Sequence, residues 1–96
     1  MVDFVIHPAA QLEYKNAAEW YAERSAIAAQ RFVSEVEAGI ETIRKRPESY
    51  ALIDDRHRLY IVRGFPYYVA YRYRPGLVQV VAIRHAAQDQ DAWKGR

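Results

Sequence analysis

The chain has 96 residues, 51% hydrophobic and 27% charged, the balance of one small globular domain with no room for a second independent core. It holds no cysteine, which excludes disulfide staples, thiolate zinc sites and cysteine nucleophiles and fits a reducing, cytoplasmic setting. Fourteen Lys and Arg against twelve Asp and Glu leave a net charge of +2, too small in itself to point to a partner.

The opening Met1-Val2-Asp3-Phe4-Val5-Ile6-His7-Pro8 has no basic n-region and no long apolar run, so neither a signal peptide nor a membrane span is expected. Phe4, Val5 and Ile6 predict a short first strand, ended by His7-Pro8. Pro8 suits the first turn of a helix, where its missing N–H costs nothing. Ala10, Tyr14, Ala17, Ala18 and Tyr21 then recur at helical spacing, one face of a helix running to about Arg24. Ser25 is the predicted N-cap of a second helix, whose apolar face is Ala29, Phe32, Val33, Val36, Ile40 and Ile43. Arg44-Lys45-Arg46 put positive charge where the macrodipole favours it, and Pro47 stops the helix. Two adjacent helices so tightly joined predict an antiparallel hairpin with an apolar seam.

Beyond Pro47 the period changes. Arg58 to Arg63 reads as a strand by its β-branched and aromatic content, and Gly64-Phe65-Pro66 as a turn. Tyr67 to Arg74 alternates, with Tyr67, Val69, Tyr71 and Tyr73 on one face and Tyr68, Ala70, Arg72 and Arg74 on the other. Pro75-Gly76 signals a hairpin. Leu77 to Arg84 is a last strand, apolar on both faces and therefore expected inside the sheet. The fold class is α+β over residues 1–96: an N-terminal strand, an antiparallel helix hairpin and a three-stranded antiparallel sheet, with the helices on one face.

Split at Pro47, the charge becomes informative. Residues 1–47 carry six basic groups and seven acids, whereas residues 48–96 carry eight and five. From Arg56 to Arg84 there are six arginines (Arg56, Arg58, Arg63, Arg72, Arg74, Arg84) with no acid and no lysine. They read either as a positive face for phosphate or an acidic protein, or as an ordinary solvated sheet surface. His7, His57 and His85 are not spaced as a metal pair, so no metal site and no cofactor are expected. His7 reads as a strand-end or capping residue and His57 as solvent-facing. His85, after Arg84, reads either as a structural residue or as a proton shuttle, with Arg63, Arg72 or Arg84 on a phosphate. Asp54-Asp55 reads as loop solvation. The tyrosines at 60, 67, 68, 71 and 73 read as a base-stacking platform or as core filler, filler being favoured for those facing the helices.

The block Arg63-x-Phe65-Pro66-Tyr67-x-Val69-x-Tyr71 resembles the ParE/RelE superfamily of type II toxin–antitoxin toxins. So do His7-Pro8-Ala9-Ala10, Trp20-Tyr21, Phe32, Pro47 and the ending Ile83-Arg84-His85, Asp89 and Trp93. The resemblance runs over nearly the whole chain and implies the same strand, helix hairpin and sheet. It implies a toxin neutralised by a cognate antitoxin, which docks an amphipathic, often acidic segment on the arginine-bearing sheet or the helix hairpin. DNA would then be contacted only through the antitoxin. The surface expected to meet target or antitoxin comprises Arg58, Arg63, Arg72, Arg74, Arg84, His85 and Trp93.

Two activities divide that superfamily. ParE-like members poison DNA gyrase by binding it, whereas RelE-like members cut mRNA on the ribosome. The Phe-Pro-Tyr block and the absence of sheet lysines are more similar to ParE, which implies a gyrase inhibitor with no catalytic residue of its own. The RelE-like alternative is a metal-free endoribonuclease using His85, with Arg63 and Arg84 on the phosphate. A third reading is a non-toxic module that only binds an antitoxin. The family often continues His-x-x-Arg-Asp-Pro after the last strand; here the run is His85-Ala86-Ala87-Gln88-Asp89-Gln90, which weakens a charge-based role for the tail.

Overall fold

The computed structural model describes residues 2–96. Its elements are β1 (Asp3–Ile6), α1 (Pro8–Ala22), α2 (Ala26–Lys45), β2 (Arg58–Ile61), β3 (Tyr67–Arg74) and β4 (Leu77–His85). Local chemistry sets the helix ends. His7 caps α1, its Nδ1 accepting the Ala9 N–H at 3.0 Å, with Pro8 as the first helical residue. Ser25 caps α2, its Oγ accepting the Ala28 N–H at 3.1 Å. Among the described residues no helix is long and apolar enough to cross a membrane.

The sheet order is β1-β4-β3-β2. β2, β3 and β4 form the expected antiparallel meander, and β4 lies inside the sheet. The three-stranded description is extended by β1, which pairs in parallel with β4, Asp3–Ile6 lying opposite Leu77–Val80. A parallel pair needs a long crossover, and all of the intervening chain serves as one. The β3–β4 register slips between Ala70 and Tyr71, so that Ala70 faces Ala82 while Tyr71 faces Val80. Val81 is thereby the extra residue of a bulge, which reverses the alternation of β4. Val78, Val80 and Ile83 join the helix-side core, whereas Val81 and Ala82 join the opposite face.

On the helix side, Phe32 is the centre of the packing. The rings of Tyr21, Phe65 and Tyr67 stand 5.1, 5.3 and 5.0 Å from it. Tyr71 is buried in the same layer, and its hydroxyl donates to the Pro47 carbonyl at 2.7 Å. Tyr60 lies directly on Gly39 of α2, with no space for a Cβ between them. The tight β3–β4 turn places Gly76 at φ +82°, a conformation that costs glycine nothing.

The far face of the sheet departs from expectation. Tyr68, Ala70, Val81 and Ala82 form a second core with Trp93, which comes back from the chain beyond β4. Trp93 was expected on the contact surface, but it is 0% exposed and donates its indole N–H to the Tyr68 hydroxyl at 2.9 Å. His57, expected in solvent, is 1% exposed, its ring edge-on to Trp93 at 5.1 Å. The cause is the Asp54 turn. The Asp54 carboxylate accepts the N–H groups of Arg56 and His57, at 2.9 and 2.7 Å, and lies 2.8 Å from His57 Nδ1. Asp54 is thus a turn-closing group rather than loop solvation. Tyr68 and Tyr71 are buried and serve as core filler, whereas Tyr60, Tyr67 and Tyr73 are partly buried against the helix-side core.

Candidate functional site

Two clefts lie at opposite ends of β3. At its start, Tyr67 is opposite His85 of β4, their rings edge-on at 5.2 Å. With Trp20, Tyr21 and Pro66 they line an aromatic cleft of about 370 Å³. An adjoining hollow shares Trp20 and Tyr67 and continues along Glu13, Asn16, Ala17 and Ile83 to Gln88. Trp20 is 49% exposed, and the Arg24 guanidinium lies 3.6 Å over its ring. His85 is tied into the chain that follows it. Its Nδ1 accepts the Ala87 N–H at 3.0 Å, so the neutral ring carries its proton on Nε2. Gln88 accepts the His85 N–H at 3.0 Å through its side chain and donates its own backbone N–H to the His85 carbonyl at 3.0 Å.

Behind this cleft, Glu13 gathers Arg84 and Arg96. β1 ends opposite Val80, which leaves the following stretch of the β4 edge without a strand beside it. Side chains take the strand's place. Glu13 accepts the Ile83 N–H at 3.1 Å, and Arg96 donates to the Val81 carbonyl at 2.9 Å. Arg84 and Arg96 both reach Glu13 at 2.9 Å. Burial by itself would raise the Glu13 pKa; the bonds from Arg96, Arg84 and the Ile83 N–H outweigh it and hold the group below its ordinary value. Arg84 is therefore engaged from within, sharing the Glu13 carboxylate with Arg96. Sequence reading missed Glu13, although it sits at helical spacing between Ala10 and Ala17 on the stripe that faces the sheet, an unusual place for an acid. Arg96 has no such signal.

The remaining arginines do not make one uniform face. Arg63 is exposed beyond β2, and Arg58 donates to the Tyr50 carbonyl at 2.6 Å. Arg58, Arg72 and Arg74 come together with Arg56 in a second cleft of about 280 Å³, walled by Leu52, Asp55 and Tyr73. So the structure groups Arg58, Arg72 and Arg74, separates Arg84 and His85 from them, and buries Trp93. Among the described residues no group of three or more His, Asp or Glu side chains is placed to hold a metal ion.

A comparison with curated proteins gives no match. Among solved structures, the chain is similar to one from "Chromosomal ParDE TA system from P. aeruginosa", with a TM-score of 0.73 at 13% identity. That alignment covers 88% of this chain and 96% of the other, and at this identity it speaks for the fold. Residues 4–90 match the family described as "ParE toxin of type II toxin-antitoxin system, parDE". With nearly the whole chain matched and the fold in agreement, the protein belongs to the ParE toxin family of type II toxin–antitoxin systems.

Proposed function

We propose that the protein inhibits DNA gyrase by direct contact, without a catalytic residue of its own, and that a cognate antitoxin neutralises it by covering its surface. The observation that carries this reading is the internal engagement of the groups that RNA cleavage would use. A general base needs a free lone pair, and neutral His85 has one only on Nδ1, already committed to the Ala87 N–H. Arg84, the group that would meet a phosphate, is paired with Glu13. Binding, by contrast, has surface to use: Leu12, Trp20 and Ile27 are exposed on the helix hairpin. Arg58, Arg63, Arg72, Arg74 and His85 are the contact residues in this reading, while Arg84 and Trp93 support them from behind.

The test is a pair of reactions run with the same purified protein. In one, gyrase supercoiling and DNA cleavage are followed; in the other, translation on ribosomes. Supercoiling should fail, cleaved gyrase–DNA complexes should accumulate, and antitoxin should reverse both while translation proceeds. Any loss of growth arrest in His85→Ala should be matched by a loss of gyrase binding. Intact supercoiling with codon-phased mRNA cuts would replace this reading with the endoribonuclease.

A further inference from the structure

Four rings stand in a row along the aromatic cleft. Trp20 meets Tyr21 at 5.0 Å, Tyr21 meets Tyr67 at 6.1 Å and Tyr67 meets His85 at 5.2 Å, each pair steeply tilted. Pro66 completes the lining. The Trp20 indole N–H, the Tyr21 and Tyr67 hydroxyls and His85 Nε2 bond to nothing among the described residues, and the two hydroxyls and Nε2 are not shut away from solvent. Burial, and for Tyr67 also the neighbouring Tyr21, push both phenol pKa values up, so the hydroxyls keep their protons. The proton of neutral His85 is on Nε2, because Nδ1 accepts from Ala87. The cleft thus offers four hydrogen-bond donors between apolar ring faces, and no carboxylate lines it.

This lining selects its occupant. An anion finds no free cation here. Arg24 lies over Trp20 and donates to its carbonyl at 2.8 Å, and Arg84 is held by Glu13, whose carboxylate side chain lines the adjoining hollow. A nucleic-acid strand and an acidic peptide are disfavoured alike. A helix keeps its carbonyls in its own ladder, and a strand brings an N–H with every C=O. A proline-containing segment in the polyproline conformation carries carbonyls with no partner in their own chain and lacks an N–H at each proline. Its rings pack into aromatic-lined grooves, and its stiffness lowers the entropy lost on docking.

We propose that the aromatic cleft holds a proline-containing extended segment of the gyrase target, its rings against Trp20, Tyr21 and Tyr67 and its carbonyls on the donors of Trp20, Tyr67 and His85. The proposal rests on the gyrase reading above and adds the place and chemistry of one contact.

The two tryptophans supply the readout, because the Trp93 N–H is buried on Tyr68 whereas that of Trp20 is free. Octaproline, an alanine–glycine peptide of equal length and octathymidylate are each titrated into the protein while NMR follows both indole N–H signals. Octaproline should shift the Trp20 signal to saturation and leave that of Trp93 in place, and the alanine–glycine peptide should shift neither. Trp20→Ala should weaken octaproline binding by roughly 10- to 100-fold. Tyr67→Phe, which removes one hydroxyl and keeps the ring, should weaken it by about three- to tenfold. An unmoved Trp93 signal shows that each variant is folded. Gyrase affinity should fall by similar factors in both variants, and octaproline should compete with gyrase for the wild type.

A Trp20 signal indifferent to octaproline, or full gyrase affinity in both variants, would overturn the proposal and leave the gyrase reading in place. A wild type that does not bind gyrase removes both. If octathymidylate shifts Trp20 more strongly than octaproline does, the cleft is a nucleic-acid platform and the proposal falls. It falls as well if the variants lose affinity for the antitoxin while gyrase binding holds.

Discussion

Arg96 grips Glu13, 83 positions earlier in the chain, fork to fork: Nη1 on Oε1 and Nη2 on Oε2, both at 2.9 Å. The acid of the first helix thereby pins the end of the tail against the β4 edge, and it holds Arg84 as well. One carboxylate thus supports the strand end that carries His85.

Glu13→Ala should lower stability by about 2–4 kcal/mol, since it strands two largely buried guanidinium groups and the Ile83 N–H. Urea denaturation measures the loss. Glu13→Gln, which still offers an acceptor to Ile83, should cost less, and hydrogen exchange at the Ile83 amide should accelerate only in the alanine variant. Equal losses in the two variants would mean that charge alone matters.

Trp93→Ala should cost about 3–5 kcal/mol, the range for emptying a large buried site. Trp93→Phe keeps much of the packing and loses the bond to Tyr68, so about 1 kcal/mol is expected. In a Trp20→Phe background the remaining indole should emit at short wavelength and resist quenching by iodide. Emission at the position of a solvated indole would contradict the buried tail.

Gly39→Ala drives a methyl into the Tyr60 ring and should destabilise the chain by about 1–3 kcal/mol. Combined with Tyr60→Val the penalty should shrink, because the obstacle is one side chain. A double-mutant cycle measures this coupling, and simple additivity would locate the strain elsewhere.

Acid sensitivity should trace to Asp54 and Glu13. Asp54 is drawn down from 3.8 to about 2, first by the Arg56 N–H and then by the His57 bonds, and Glu13 also lies below its ordinary 4.5. Both carboxyls then take up protons in the unfolded chain before the folded one. Their stabilisation is complete above the unfolded pKa values and drains away as pH falls towards 2. Thermal melts in this window should show a steeper fall for wild type than for Asp54→Asn. Parallel curves would exclude Asp54.

The cleft residues were legible to different degrees for a physical reason. Arg72 and Arg74 alternate outward on a strand whose period is visible, so their shared face follows from the sequence. Their union with Arg56 does not follow, because Arg56 arrives on the turn that Asp54 closes. Arg84 carries the same sequence signal as its neighbours and yet is engaged internally, since its partner lies on α1.

What the sequence by itself determined is local: the order of elements, the caps at His7 and Ser25, the stop before Pro47, the hairpin at Gly76 and the centrality of a strand apolar on both faces. Each depends on periodicity or backbone chemistry within a few residues. Only the tertiary structure decided that β1 runs parallel beside β4, that a bulge at Val81 reverses the strand, and that Trp93 seals His57 beneath the sheet. These are meetings between distant segments, chosen by whichever surfaces bury the most apolar area and satisfy the most backbone groups together. The arginine charge, visible from composition, was thereby divided into a paired group that supports the fold and an unpaired group left facing outward.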